Sequence, residues 1–166
     1  MVELRNYHLE YIPDFVKYRN NPKIYKQGFD KTPDPYTYEH AKELFIIQIE
    51  KKIKERFLIF SEDEFCGEIG IWLKDDVNRC NAEIGYFIAE PFWGKGIATQ
   101  AIALMTEYAF NAFDLVRIVA SVFEYNIGSM RALEKNDFIL ECVQKKGVVK
   151  NNKLLDNYIW VKFREY

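Results

Sequence analysis

Three short apolar runs, Phe57-Leu58-Ile59-Phe60, Gly67 to Leu73 (GEIGIWL) and Ala82 to Ile88 (AEIGYFI), follow one another, and SEDE and KDDVNR between them supply polar turns. Runs rich in β-branched and aromatic residues, separated by such turns, predict three consecutive strands. The third leads through Pro91 into Gly94-Lys95-Gly96, after which Ile97, Ala101, Leu104, Met105 and Tyr108 recur at i, i+4, i+7, i+8 and i+11. That spacing is the apolar stripe of a long amphipathic helix reaching Phe113. Strands that feed a glycine loop and a helix restrict the chain to a mixed α/β fold.

The flanking sequence completes the expectation. A short strand is predicted near Val2 to Leu4, and helical spacing links Ile12, Phe15, Val16 and Arg19, then Ala41, Leu44, Phe45, Ile49 and Ile53 within Tyr38 to Lys54. Between these helices, Asn20 to Pro35 reads as a loop, with Pro22, Gly28, Pro33 and Pro35. Downstream, Arg117 to Val122 reads as a buried strand and Asn126 to Lys135 as a helix with Asn126 as N-cap. Phe138 to Val148 and Leu154 to Phe163 flank Asn151-Asn152, a pair that tolerates left-handed dihedrals, and so predict a closing hairpin.

Residues 1–166 are expected to form one domain: a chain of 166 residues buries about 68–70% of its unfolded surface, and 49% hydrophobic residues supply the core. Lys and Arg number 23 against 25 Asp and Glu, a net charge of −2, so the clustered positive charge that nucleic acid or an anionic membrane requires is not expected. The longest unbroken apolar run, Ala101 to Met105, falls far short of the ~20 residues of a membrane span. The first ten residues carry no signal-peptide h-region, and a cytoplasmic location is the expectation. Cys66, Cys80 and Cys142 lack metal-site spacing, and no group of histidines accompanies them, so reduced thiols and no metal are expected.

The glycine loop marks an anion site. Gly94 and Gly96 let the backbone approach a ligand, and first-turn N–H groups of the following helix lack internal partners. Two nucleotide motifs fail on spacing: no G-x-x-x-x-G-K-[ST] occurs, and Gly94-Lys95-Gly96-Ile97-Ala98-Thr99 puts Thr where a dinucleotide fingerprint needs its third small residue.

Trp93-Gly94-Lys95-Gly96-Ile97-Ala98 resembles the acetyl-CoA pyrophosphate loop of the GNAT N-acetyltransferases, Q/R-x-x-G-x-G/A. The resemblance extends through Ala82-Glu83-Ile84-Gly85-Tyr86, Asn126-x-x-Ser129 and Leu133 to Phe138, is similar above all to the Rim-type branch that acetylates ribosomal-protein N-termini, and covers about Phe57 to Phe163. Trp93 departs from the Gln or Arg of the motif, and Asp137 from the glycine usual before Phe138. The implied fold is a twisted, mostly antiparallel sheet of about seven strands flanked by helices, with a bulged fourth strand forming the cofactor slot. The implied cofactor is acetyl-CoA as co-substrate, held by Trp93, Gly94, Lys95, Gly96, Ile97, Ala98 and Thr99 at the phosphates. Free backbone groups near Phe87, Ile88 and Ala89, with the Asn126 and Ser129 side chains, are implied to contact the pantetheine arm.

Acetyl transfer needs a base for the amine, a donor for the oxyanion and a proton for the thiolate. The resemblance implies Glu83 as base, directly or through water, against the alternative of a cross-strand-paired strand residue; Glu68 is the reserve. It implies the Ile88 N–H as oxyanion donor. The family's usual Tyr acid is replaced by Leu133, and the role passes to Ser129, which could equally be a hydrogen-bonder at the helix start; Tyr125 and Tyr158 are further candidates. His8 and His40 read as surface or capping residues, and the aromatic N-terminal third as cover for the acceptor side, where Asp30 and Asp34 could meet a cationic amine.

The expected function is transfer of an acetyl group to a primary amine, a protein N-terminus or a small molecule, in a ternary complex. Two alternatives use the same residues: a non-catalytic acyl-CoA sensor or interaction module, and a nucleotide-binding regulatory domain. The closing hairpin is the expected contact surface of a homodimer.

Overall fold

The computed structural model describes residues 1–165. In chain order the elements are β1 (Val2–Arg5), α1 (Ile12–Arg19), α2 (Pro22–Tyr25), α3 (Tyr38–Glu50), β2 (Arg56–Ser61), β3 (Glu64–Leu73), β4 (Asn81–Ile88), α4 (Ile97–Ala112), β5 (Arg117–Phe123), α5 (Ile127–Glu134), β6 (Ile139–Lys150) and β7 (Lys153–Phe163). The strands form one seven-stranded sheet in the order β1-β2-β3-β4-β5-β7-β6, antiparallel everywhere except between β4 and β5.

Period-two alternation sends successive side chains into two layers. Ile59, Ile69, Ile71, Ile84, Ile88 and Ile118 join Ile102, Met105 and Leu133 beneath α4 and α5. On the other face, Leu58, Phe60, Phe65 and Phe87 pack with Ile12, Phe15, Tyr36, Ala41 and Phe45 of the N-terminal third. Those rings meet edge to face, Tyr7 on Phe45 at 4.8 Å and Phe15 on Phe45 at 5.2 Å, the arrangement ring quadrupoles favour.

The register of β4 on β3 runs unbroken from Gly67↔Ile88 to Leu73↔Ala82, so no register irregularity falls in this pairing, and the slot expected at β4 opens on its β5 side. The irregularity lies one strand earlier: Ile59 faces Gly67 but Phe60 faces Phe65, which leaves Cys66 as an extra residue. This bulge turns Phe65 and Glu68 toward the same layer although they are three residues apart.

Local chemistry explains the other departures. The third helix stops at Glu50 rather than Lys54, and the Lys54 ammonium returns to donate to the Gln48 and Ile49 carbonyls, both at 2.9 Å. Within the segment expected to be a loop, Asn21 caps a short helix that has Pro22 in its first turn. The buried stripe of α4 runs through Ile97, Ala101, Ile102, Met105, Thr106 and Ala109, and Leu104 is exposed. The last hairpin turns on Asn151 and Asn152 at φ 50° and 58°, the two positive values of a type I′ turn. No described helix is long and apolar enough to cross a membrane.

Candidate functional site

The parallel pairing of β4 with β5 covers only Asn81↔Arg117, Ala82↔Ile118 and Glu83↔Val119. Beyond Glu83, β4 continues along β3 to Ile88, while β5 continues along β7 to Phe123. The sheet therefore splits. Which backbone groups face the split follows from the ladder: Ala89 N–H donates to the Cys66 carbonyl at 2.7 Å on the β3 side, and alternate residues turn to the same neighbour. Phe87 thus faces β3, whereas Tyr86 and Ile88 turn their backbone groups to the split.

Of the three backbone positions expected to be free, Phe87 and Ala89 are engaged and Ile88 is half engaged. Ala89 uses both groups, its carbonyl accepting from Phe92 N–H at 2.9 Å. The Ile88 carbonyl accepts from the Trp93 indole Nε1 at 2.6 Å, and the Ile88 N–H remains turned to the split. Trp93, the departure from the motif, so links the loop to the strand edge. The Tyr86 backbone, not among the positions implied by the resemblance, joins the set.

After β4, a 3₁₀ turn at Glu90–Phe92 replaces the strand expected through Pro91 and brings the chain to the loop. Gly94 and Gly96 sit at φ 75° and 74°, where side chains are strained, and a Cβ on either would point into open space. The first intrahelical bond of α4 is Gln100 N–H to the Gly96 carbonyl. The N–H groups of Ile97, Ala98 and Thr99 therefore have no helical partner, and Gly96 as N-cap offers no side chain to satisfy them. An uncapped helix start without a nearby first-turn acid, beside an open glycine cradle and the Lys95 charge, fits a pyrophosphate. The buried Ile97 anchors the turn, and the Thr99 carbonyl holds Asn136 Nδ2 at 3.0 Å.

On the far side of the split, Asn126 caps α5 by accepting from Ser129 N–H at 3.3 Å, as its sequence position predicts. Its Nδ2 donates to Gln27 Oε1 at 3.1 Å, so neither end of the amide is unpartnered. The Ser129 hydroxyl lies 2.6 Å from the Tyr86 hydroxyl. Burial pushes the Tyr86 phenol up to about 12, against the opposing pull of the Ser129 hydrogen bond, so it keeps its proton at neutral pH. Leu133 is fully enclosed in the core. The i, i+2 alternation of Ile84, Tyr86 and Ile88 places Tyr86 on the apolar face opposite Glu83, as the structure has it, but nothing in the sequence reveals Ser129 across from it.

Glu83 is engaged by the Lys74 ammonium at 3.0 Å. Glu68 is 4% exposed and accepts from the Tyr7 hydroxyl and from Arg56, the latter at 2.9 Å. Burial, reinforced by the Glu68 charge, raises the Tyr7 phenol well above its ordinary value. Asp30 binds the buried Lys150 ammonium at 2.6 Å, and the Tyr125 hydroxyl donates to the Lys26 carbonyl at 2.5 Å. With Lys23 and Asn21 both on Glu90, these contacts strap residues 20–36 from the end of β4 to α5 and β6. Asn20 closes the strap's base on Tyr36 through bonds of 2.7 and 2.8 Å. His40 completes a capping box with Thr37, and His8 faces Glu10 at the surface. The three cysteines are free, and among the described residues no three metal-ligating side chains gather.

Comparison with known proteins supports the same reading. A family described as an acetyltransferase (GNAT) domain matches residues 2–139. A probable N-acetyltransferase of Bacillus subtilis (strain 168), YjcK, is 37% identical over 114 residues, 68% of this chain and 63% of that protein. The ribosomal-protein-serine acetyltransferase of Escherichia coli (strain K12) is 33% identical over 96 residues, 58% of this chain and 53% of that protein. In both, the match spans less than two thirds of the relative's own length. Among solved structures, a RimL ribosomal L7/L12 α-N-protein acetyltransferase in complex with coenzyme A superposes with a TM-score of 0.81 at 25% identity, over 98% of this chain and 93% of that one. A split sheet, a glycine cradle on an uncapped helix and a domain match over most of its length together place the chain in the GNAT acetyltransferase family.

Proposed function

We propose that residues 1–166 act as one N-acetyltransferase domain that transfers the acetyl group of acetyl-CoA to a primary amine by direct attack in a ternary complex. The observation that carries this reading is the split between β4 and β5, which opens directly onto the uncapped start of α4. Bound acetyl-CoA supplies an activated acyl group as a thioester.

The chain's own groups divide the work. The Ile97, Ala98 and Thr99 N–H groups, with Lys95, hold the anionic end, while the Ile88 N–H donates to a developing oxyanion. Glu83 lies five residues before Ile88, roughly 16 Å along the strand at ~3.3 Å per residue, beyond direct contact or a single bridging water, so it takes the amine proton through a chain of waters. The Tyr86–Ser129 pair holds a proton beside the split for the departing thiolate. The names of the E. coli relative and of the RimL structure favour a protein N-terminus as acceptor. Exposed Ile139, Val149, Leu154 and Phe163 on the β6–β7 hairpin support self-association there, which light scattering checks.

The buried Leu133, at the position where the family resemblance implies a Tyr acid, favours a second reading as a non-catalytic acyl-CoA sensor. Thiol release from acetyl-CoA in the presence of an amine panel, including ribosomal-protein N-terminal peptides, decides the matter. Amine-dependent release supports transfer, CoA binding without release supports the sensor, and protection by ATP or NAD but not CoA overturns both.

A further inference from the structure

Beyond the side of the sheet that serves the cofactor, the α1–α3 layer holds an uncompensated charge. The Arg19 guanidinium lies over three rings, 4.8 Å from the centre of Phe87, 5.9 Å from Tyr36 and 6.0 Å from Phe15. Its Nε is shielded from solvent and meets no acceptor among the described residues, and Arg19 enters no ion pair among them. Nearby, Arg56 is matched by Glu68, whose other partner is the Tyr7 hydroxyl. Two cations and one carboxylate leave this cluster with an excess positive charge. Of the other carboxylates whose fields reach it, Glu43 is exposed and Glu55 is bound by Lys51.

Arg19 is half-buried: its Nε is shielded without an acceptor, while its two terminal amines make no bond to the protein among the described residues and stay open to a ligand. The flanking rings hold its plane, and its fork of donors matches a carboxylate in both charge and geometry. Its position connects it to the reaction. Phe87 precedes Ile88, whose N–H faces the split, so a ligand approaching that amide from the α1–α3 side passes the guanidinium.

Resting on the acetyltransferase reading above, we propose that Arg19 binds a carboxylate carried by the acceptor, so that the substrate is a primary amine with an acidic group close by: an amino acid, or a peptide N-terminus followed by an acidic residue. The Tyr36 hydroxyl, without a hydrogen-bond partner among the described residues, is placed to add a second donor.

Matched acceptor pairs test this: glycine against glycinamide for the small-molecule source, and Ser-Glu-Ala-amide against Ser-Gln-Ala-amide for the peptide source. In at least one pair the carboxylated member is expected to be preferred by about 10- to 100-fold in kcat/KM, the range of charge-assisted hydrogen bonds. Arg19→Gln should abolish that preference through KM of the carboxylated member. It should leave the kcat/KM of the neutral member and the Kd of CoA unchanged. Equal use of both members of each pair by the wild type overturns the proposal, as does an equal loss of both in Arg19→Gln. A readout without turnover separates this from the parent reading: calorimetric titration with N-acetylglycine and N-acetyl-Ser-Glu-Ala-amide against their neutral counterparts. Failure to bind CoA overturns the acetyltransferase reading alone. Failure of the carboxylated ligands to outbind the neutral ones overturns the role of Arg19.

Discussion

Beneath α4 and α5 the groups that face the split are largely backbone: the N–H groups of Ile88, Ile97, Ala98 and Thr99, set by a strand edge and a helix start. Above the sheet, under α1 and α3, the polar groups are side chains, Tyr7, Arg19, Tyr36, Arg56 and Glu68, brought together across as many as 61 residues of sequence. The first arrangement depends on dihedral angles that only a few residue types permit, so it leaves a motif. The second depends on packing and leaves none. A backbone site can be kept while the opposite layer is rebuilt for a different acceptor.

The largest effect is expected where a side chain invades the backbone site. Gly96→Val places a β-branched residue at φ 74° with its Cβ in the open cradle. Titration with acetyl-CoA should show Kd rising by about 10³-fold or more, the loss of two or more charge-assisted bonds. Circular dichroism should still report a folded chain. Unchanged affinity removes the loop from the site.

Next in size is Glu83→Gln, expected to lower kcat/KM by about 10²- to 10⁴-fold without changing CoA affinity. The residual rate should climb as pH approaches the acceptor amine's own pKa, since more of it then arrives neutral. A variant within about threefold of wild type from pH 6 to 9, far below that expected loss, would show Glu83 to be only the partner of Lys74, and the search would pass to Glu68.

Tyr86 sharpens the contrast, being a side chain on the backbone-built side. Its phenol titrates near 12 when folded against 10.0 when free, so between those values the folded chain keeps a proton that the unfolded chain has lost. The stability this contributes is complete below pH 10 and disappears as pH rises to about 12, a decline of about 2–3 kcal/mol. Denaturant melts of Tyr86→Phe should lack that share of the alkaline loss; an identical decline in both proteins contradicts it.

The smallest effect is expected at Asn126. Replacing the cap with Ala should cost about 1 kcal/mol, or roughly 2–4 °C in Tm for a chain of this size. Because Gln27 and Ser129 occupy both ends of the amide, CoA affinity should change less than stability. A large loss of affinity would instead place Asn126 against the cofactor.

These contrasts also explain what could be read in advance. Ile84 and Ile88, Asn126 before α5 and the Asn151-Asn152 turn each express a local rule, periodicity, capping or left-handed dihedrals, and the structure agrees with them. The slot itself was legible only through family resemblance, and Ala89 shows the limit: whether its N–H is free depends on Cys66, 23 positions away. Arg19 appeared in the sequence as one member of a helical stripe. Its missing partner becomes visible only when Phe87, Tyr36 and Glu68 are placed around it.

The short seam at Asn81–Glu83 divides the sheet into two antiparallel blocks, β1 to β4 and β5 to β7, with three paired positions between them. The Tyr86 and Ile88 amides, turned away from β3, have no strand opposite them and so are expected to exchange their hydrogens through small local openings, whereas the Phe87 amide waits for β3 to separate. Occupancy of the gap would supply the absent neighbour. Alternating protection along one strand, equalised by ligand, is therefore the signature that β4 should carry in solution.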